Sequence, residues 1–409
     1  MSGAYVGSRM IGDVVYLVAQ DYAQPSGDSV TLPAITSGGT TRTLTAPDVG
    51  YFKDSEGGRI ATVTALRITG DAAPAYAAFV MQPTSQIYVS TGNVYLAGSE
   101  VGGGWSSSSE WSTIHRVAID NGTVGYACSF RVPGTILNQF SMDEYKGYLR
   151  VATTIGRVSA GGGGSSNNVY VADPALNPAG KLERIAPGEQ IHSARFMGDR
   201  AYLVTFKKID PLFVIDLSNP GLPRILGYLK VPGYSDYLHP YDATHVIGVG
   251  KDAVDMGGFA WYQGLKVSLF DVSDVEHPTE VATYGIGDRG TDSEALRDHK
   301  AFLFIPERGL VVLPVQLYEI DRTRYPGDVP PSTYGEFVWQ GAVVLSVTLQ
   351  GIELKGRITH GMDPDGYYGG GMNAIRRSLY IEDVLYTVSS NAVRMNSLDD
   401  LSDLGGVGL

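Results

Sequence analysis

The stretch HSARFMGDRAYLVTF, residues 192–206, sets Gly198-Asp199 between two runs rich in alternating apolar side chains. A Gly-Asp pair reaches the positive φ of a tight turn at little cost, and such runs on either side of it describe a β-hairpin with a buried face. The figure recurs as GSRMIGDVVYLVAQ (7–20), QIYVSTGNVYLAGS (86–99), NQFSMDEYKGYLRVAT (138–153) and SDYLHPYDATHVIGVG (235–250). DSEALRDHKAFLFIP (292–306) and RRSLYIEDVLYTVS (376–389) complete seven copies, and in register Asp298-His299 falls on the turn of its copy.

A second theme, a strand ending in a polar turn and then another strand, alternates with the first. It reads RIATVTALRITGD (59–71), STIHRVAIDNGT (112–123), NNVYVADPALNP (167–178) and PLFVIDLSNPGLP (211–223), then LKVSLFDVSDVEHP (265–278), GAVVLSVTLQGIE (341–353) and NAVRMNSLDDLSD (391–403). Two hairpins alternating seven times, at a period of roughly 45 to 85 residues, predict an all-β, seven-bladed β-propeller of four-stranded antiparallel blades, with six or eight blades as the alternatives. The blades are expected at 1–85, 86–136, 137–189, 190–233, 234–290, 291–360 and 372–409, within one domain spanning 1–409. LSDLGGVGL would form a short last strand, so that no strand is shared between the two ends of the chain. Gly/Ser/Pro-rich inserts such as GGGWSSSSEW and GMDPDGYYGGGMN read as surface loops.

Composition agrees with this architecture. Of 409 residues, 52 are Gly and 25 Tyr, while 18% are charged, a balance of turns and half-buried strands. A net charge of −12 argues against a nucleic-acid backbone or an anionic membrane as the main partner. Cys128 is the single cysteine, so no intrachain disulfide forms. No apolar run reaches the roughly 18 to 20 residues of a membrane helix, and the N-terminus lacks the pattern of a signal peptide.

NQFSMDEYKGYLRVATT, QIHSARFMGDRAYLVTF, LKVPGYSDYLHPYDATHVIGVGKD, LFDVSDVEHPTEVATYGIGDRGTDSEALRDHKAFLF and SLYIEDVLYTVSSNAVRMNSLDDL together resemble the secreted C-terminal β-propeller family of archaea and bacteria, distantly related to WD-repeat proteins. The resemblance implies a propeller displayed outside the cell or on its surface, commonly within a longer precursor. It carries no catalytic residues across.

Candidate site residues follow from position. In a propeller the first strand of each blade lines a channel, and the residues opening those strands gather at its mouth, where ligands bind. They are Asn138 and Gln139, His192 and Ser193, Ser235 and Asp236 with His239 nearby, Asp292, Ser293 and Glu294, and Arg376 and Arg377. Polar side chains there also serve to bond neighbouring strands and channel water. Asp292 and Glu294, two apart, would share one strand face and bind a cation or supply an acid.

The histidines lack zinc spacing, although His239 and His245 could approach across a turn. MDPDGYYGG (362–370) and SLDDLSD (397–403) have the carboxylate density of a calcium loop without its spacing. No cofactor is expected beyond a loosely held calcium. The function expected is a non-catalytic extracellular binding or adhesion module for a protein or polysaccharide. A hydrolase or lyase acting on an extracellular polymer through Asp292, Glu294, His239 and His192, and a structural tile of a surface assembly, are the alternatives.

Overall fold

A computed structural model describes the chain except residues 1, 24, 27–28, 53–57, 71–72, 102–109, 159–163, 207–209, 257–259 and 363–370. Among the described residues, seven sheets of four or five strands follow one another along the sequence, each drawn from one continuous segment. They fall into two compact units: residues 1–190 with 217–223, and residues 191–216 with 224–409.

The first unit holds three sheets. Ala4–Ile11, Val14–Tyr22, Arg59–Arg67 and Ala75–Met81 form the first, with Val49–Gly50 added in parallel at its edge. Thr84–Val89, Asn93–Val101, Glu110–Asp120 and Thr123–Pro133 form the second, and Met142–Tyr145, Tyr148–Gly156, Ser165–Ala172 and Pro178–Ile185 the third. The second unit holds four. The fourth sheet is Gln190–Met197, Arg200–Phe206, Asp210–Asp216 and Arg224–Val231, and the fifth is Tyr234–Pro240, His245–Asp255, Ala260–Asp271 and Thr279–Ile286. The sixth is Leu303–Ile305, Leu310–Glu319, Glu336–Thr348 and Gly351–Ile358; the seventh is Arg377–Ile381, Val384–Val388, Ala392–Ser397 and Asp403–Gly408.

Burial explains why the strands read differently. Middle strands are covered on both faces, so Leu310–Val315 is apolar and buried throughout, Pro314 included. Last strands bury one face, and Thr279–Ile286 alternates exposed with half-buried residues. Between the sheets lie the cores. In the first unit, Val14, Tyr16 and Phe79 of the first sheet pack on Val94, Leu96 and Val117 of the second. In the second unit, Tyr202 and Leu212 pack on Leu238 and Phe270, and Leu310 and Val344 on Leu385 and Leu398.

In the six sheets from the second onward, the pairing of third and fourth strands is broken by a register shift, as at Val214/Ile215 and Leu269/Phe270. Such a bulge pins the register and bends the outer strand.

One turn departs from expectation. Asp298-His299 is not a hairpin turn: Asp298 caps a short 3-10 helix, His299–Ala301. The hairpin of the sixth sheet turns later, through Pro306–Arg308 and Gly309, where φ is 59°. Gly309 supplies the left-handed conformation that Asp298-His299 was expected to supply.

Candidate functional site

A cavity of about 1010 Å³ opens within the second unit, lined by side chains of the fifth and sixth sheets and by residues 374–376 just before the seventh. The fifth sheet brings Tyr234 and Lys251 to it as directly paired residues on adjacent strands. That pairing needs Gly248 and Gly250: a Cβ on Gly250 would overlap the Tyr234 carbonyl, and one on Gly248 would overlap the Ser235 hydroxyl. The two glycines therefore let the first strand, which carries Tyr234, lie close against the second.

Asp292 enters by a different route. Its backbone exchanges both hydrogen bonds with Gln316 of the sixth sheet, at 3.0 and 2.9 Å. Ser293 then caps a 3-10 turn over Glu294–Leu296 by accepting from the Ala295 amide. Asp292 and Glu294 thus do not lie two apart on a strand; the cap turns the chain between them, although both line the cavity. The Asp292 carboxylate is bracketed by Arg297 at 2.6 Å and Lys251 at 3.3 Å. Burial pushes its pKa up, but the Arg297 hydrogen bond and the two positive charges outweigh burial and hold it below the usual carboxylate range. For Lys251, burial prevails over the pull of Asp292 and the ammonium pKa is lowered.

Ser293 is 3% exposed, and its hydroxyl donates to the Pro314 carbonyl at 2.6 Å. Arg376 lines the same cavity.

The remaining expected residues lie outside that lining. His192 faces Asp236 at 3.4 Å and packs on the Tyr234 ring at 4.8 Å. Ser193 is buried and donates to the Ser235 carbonyl at 2.6 Å. His239 lies among Tyr237, Phe302 and Phe304, and burial lowers its pKa to about 4, with the charge of Arg195 acting in the same direction. His192, His239, Asp292 and Glu294 therefore do not converge on one pocket. Arg377 pairs with Asp298.

In the first unit, Asn138 caps a 3-10 turn and Gln139 accepts from Arg9 at 2.6 Å. His245 turns to Asp242, at 2.9 Å, and not to His239. No group of three His, Cys, Asp or Glu side chains poised for a metal occurs among the described residues. Residues 363–370 of the acidic loop lie outside them. In SLDDLSD, Asp399 pairs with Arg308, and Asp400 accepts from Ser402.

The sequence reading missed Lys251, Arg289, Tyr262 and Tyr334. Arg289 lies between two aromatic faces, its Cζ 4.2 Å from the Trp261 ring centroid and 4.3 Å from that of Tyr334. These residues come from segments far apart in the chain, so no local spacing announces them.

Comparison with known proteins places the chain. An uncharacterized protein of Methanocaldococcus jannaschii is 46% identical over 50% of this chain and 31% of its own length. An uncharacterized protein of Archaeoglobus fulgidus is 43% identical over 45% of this chain and 27% of its own. The matched region thus spans less than a third of either relative. A periplasmic gluconolactonase of Pseudomonas aeruginosa aligns with a TM-score of 0.46 at 12% identity, over 88% of this chain and 93% of that one. No helix among the described residues is long and apolar enough to cross a membrane. The family model of the β-propeller domain matches residues 1–401, and the chain belongs to that family.

Proposed function

We propose that this propeller is a non-catalytic binding module acting outside the cell, which takes its ligand into the cavity of the second unit. One observation carries the reading: Asp292, one of three carboxylates lining the cavity, is bracketed by Arg297 and Lys251, which hold it below the usual carboxylate range. General acid catalysis near neutral pH needs a carboxyl raised by burial or a like charge, and this one is lowered. The Ser293 hydroxyl is committed to the Pro314 carbonyl, and neither His192 nor His239 lines the cavity to act as its base. A large cavity with aromatic walls and a few fixed polar groups suits recognition. The extracellular site of action rests on the family resemblance, and proteolysis of intact cells that make the protein tests it: cleavage without lysis is expected.

The binding reading is tested by incubating the full chain with extracellular polysaccharide, measuring both retained protein and released small products. Saturable retention without turnover is expected. Product release that is lost in Asp292→Asn would refute it.

A further inference from the structure

We propose that the ligand is an acidic saccharide, a chain of sugar rings bearing carboxylates, anchored through Arg289; this rests on the reading of the cavity as a binding site. The guanidinium of Arg289 is fixed between Trp261 and Tyr334, with one nitrogen donating to the Tyr262 carbonyl and another to the Tyr334 hydroxyl, each at 3.2 Å. In the same unit Arg297, Arg308, Arg322, Arg324 and Arg377 each hold an Asp or Glu. Arg289 holds none among the described residues, although it lines the cavity. A planar cation already oriented by two rings and lacking a counter-anion is prepared for a carboxylate, because little side-chain freedom remains to be lost on binding.

The other walls fit sugar rings. Tyr234 and Tyr262 meet edge to face, 5.0 Å apart at 70°, backed by Phe206 at 5.1 and 5.6 Å, and form an aromatic corner against one face of which the C–H side of a pyranose can rest. Gln316 lines the same space and offers its amide to ring hydroxyls, while Gln263, whose amide nitrogen donates to the Trp261 and Pro331 carbonyls, offers its oxygen. Arg376 adds a second cation with no ion pair among the described residues; of the three carboxylates in the lining, Asp292 is neutralised by Lys251 and Arg297, Glu336 is held by Arg324, and Glu294 lies close enough to Arg297 to raise its pKa. The net charge of −12 repels a polyanion at long range as it does a nucleic acid, so the attraction has to come from Arg289 and Arg376 at contact distance, inside the screening length of about 8 Å at physiological salt. The volume, about 1010 Å³, stands at the top of the range of about 300–1,000 Å³ typical of small-ligand pockets and admits more than one ring.

Titration calorimetry of the full chain with tetragalacturonate, the same oligomer after reduction of its carboxyls to the neutral galactose form, and tetraglutamate tests the assignment. Tetragalacturonate should bind at least ten-fold more tightly than the neutral oligomer, and more weakly as salt is raised. Arg289→Gln should remove that advantage, and Arg376→Gln should weaken binding about three-fold, with melting temperatures confirming that both variants fold. Should Arg289→Gln not fold, Arg376→Gln and the salt dependence decide. Equal binding of the neutral oligomer, or preference for tetraglutamate, overturns the acidic-sugar assignment and leaves cavity binding standing. Binding of no probe overturns the assignment, while the polysaccharide retention experiment judges the binding reading separately.

Discussion

His115 makes the first unit acid-sensitive in a way that a single substitution should remove. It lies in the Glu110–Asp120 strand, 4% exposed, with its ring 5.2 Å from Phe79 and 6.1 Å from Phe52. Nδ1 meets the Tyr126 hydroxyl at 3.2 Å, and Nε2 has no partner among the described residues. Burial lowers its pKa from the ordinary 6.5 to about 4. Above pH 7 the imidazole is neutral in folded and unfolded chains alike, and folding incurs no protonation penalty. As pH falls from 6.5 toward 4, the unfolded chain binds a proton that the folded chain excludes, so stability declines. At about 1.4 kcal/mol per pH unit, the gap corresponds to about 3 kcal/mol when fully expressed, most of it by pH 4.5. His115→Phe keeps an aromatic ring against Phe79 and cannot titrate. Urea unfolding of both proteins at pH 7.5 and pH 4.5, followed by circular dichroism, should show the variant losing about 2–3 kcal/mol less than the parent, since other titrating groups contribute equally to both. An equal loss in the two proteins would refute the argument.

Three further outcomes are expected. Glu144 accepts from Ser90, Asn93 and Tyr95 at 2.6, 3.0 and 3.0 Å, tying the third sheet to the second; Glu144→Ala strands the hydroxyl of Tyr95 and should cost about 2–4 kcal/mol in urea unfolding. Gly250→Ala drives a methyl into the Tyr234 carbonyl, so it should destabilise by about 1–3 kcal/mol and reduce retention on the bound polysaccharide more than its stability loss explains. Leu345→Ala, at a fully buried position in the sixth sheet, should lower stability by about 2–5 kcal/mol in the same unfolding assay and leave saturable retention unchanged.

Most hairpins could be read because their turns carry backbone chemistry that few residues supply. Gly12, Gly147 and Gly198 all have positive φ, and each stood in the sequence between two strand-like runs. The sixth sheet misled because Asp298-His299 resembles such a pair, whereas its first strand, Leu303–Ile305, is only three residues long and its turn glycine sits at 309. A cap that accepts from its own backbone, as Asp298 and Ser293 do, uses the same residue types as a hairpin turn, so composition cannot separate the two. The cavity was legible only at Asp292, Ser293, Glu294 and Arg376. Lys251, Arg289 and Tyr334 converge by strand pairing and cation–π stacking between distant segments, and that meeting is a property of the fold.

The drawing of each sheet from one unbroken stretch of chain also bears on how the protein is made. A nascent chain lengthens by about 5–20 residues per second, while a hairpin closes in about 1–10 μs. Each sheet can therefore complete as soon as its fourth strand leaves the ribosome, with no strand awaiting a partner from the far end of the message. Within a unit, an apolar face left by one sheet is covered by the next segment translated, as the second sheet covers the first and the fifth covers the fourth. Synthesis and assembly then proceed in the same order, and stalled chains ending just after residues 133 or 286 should resist protease better than chains ending inside a sheet.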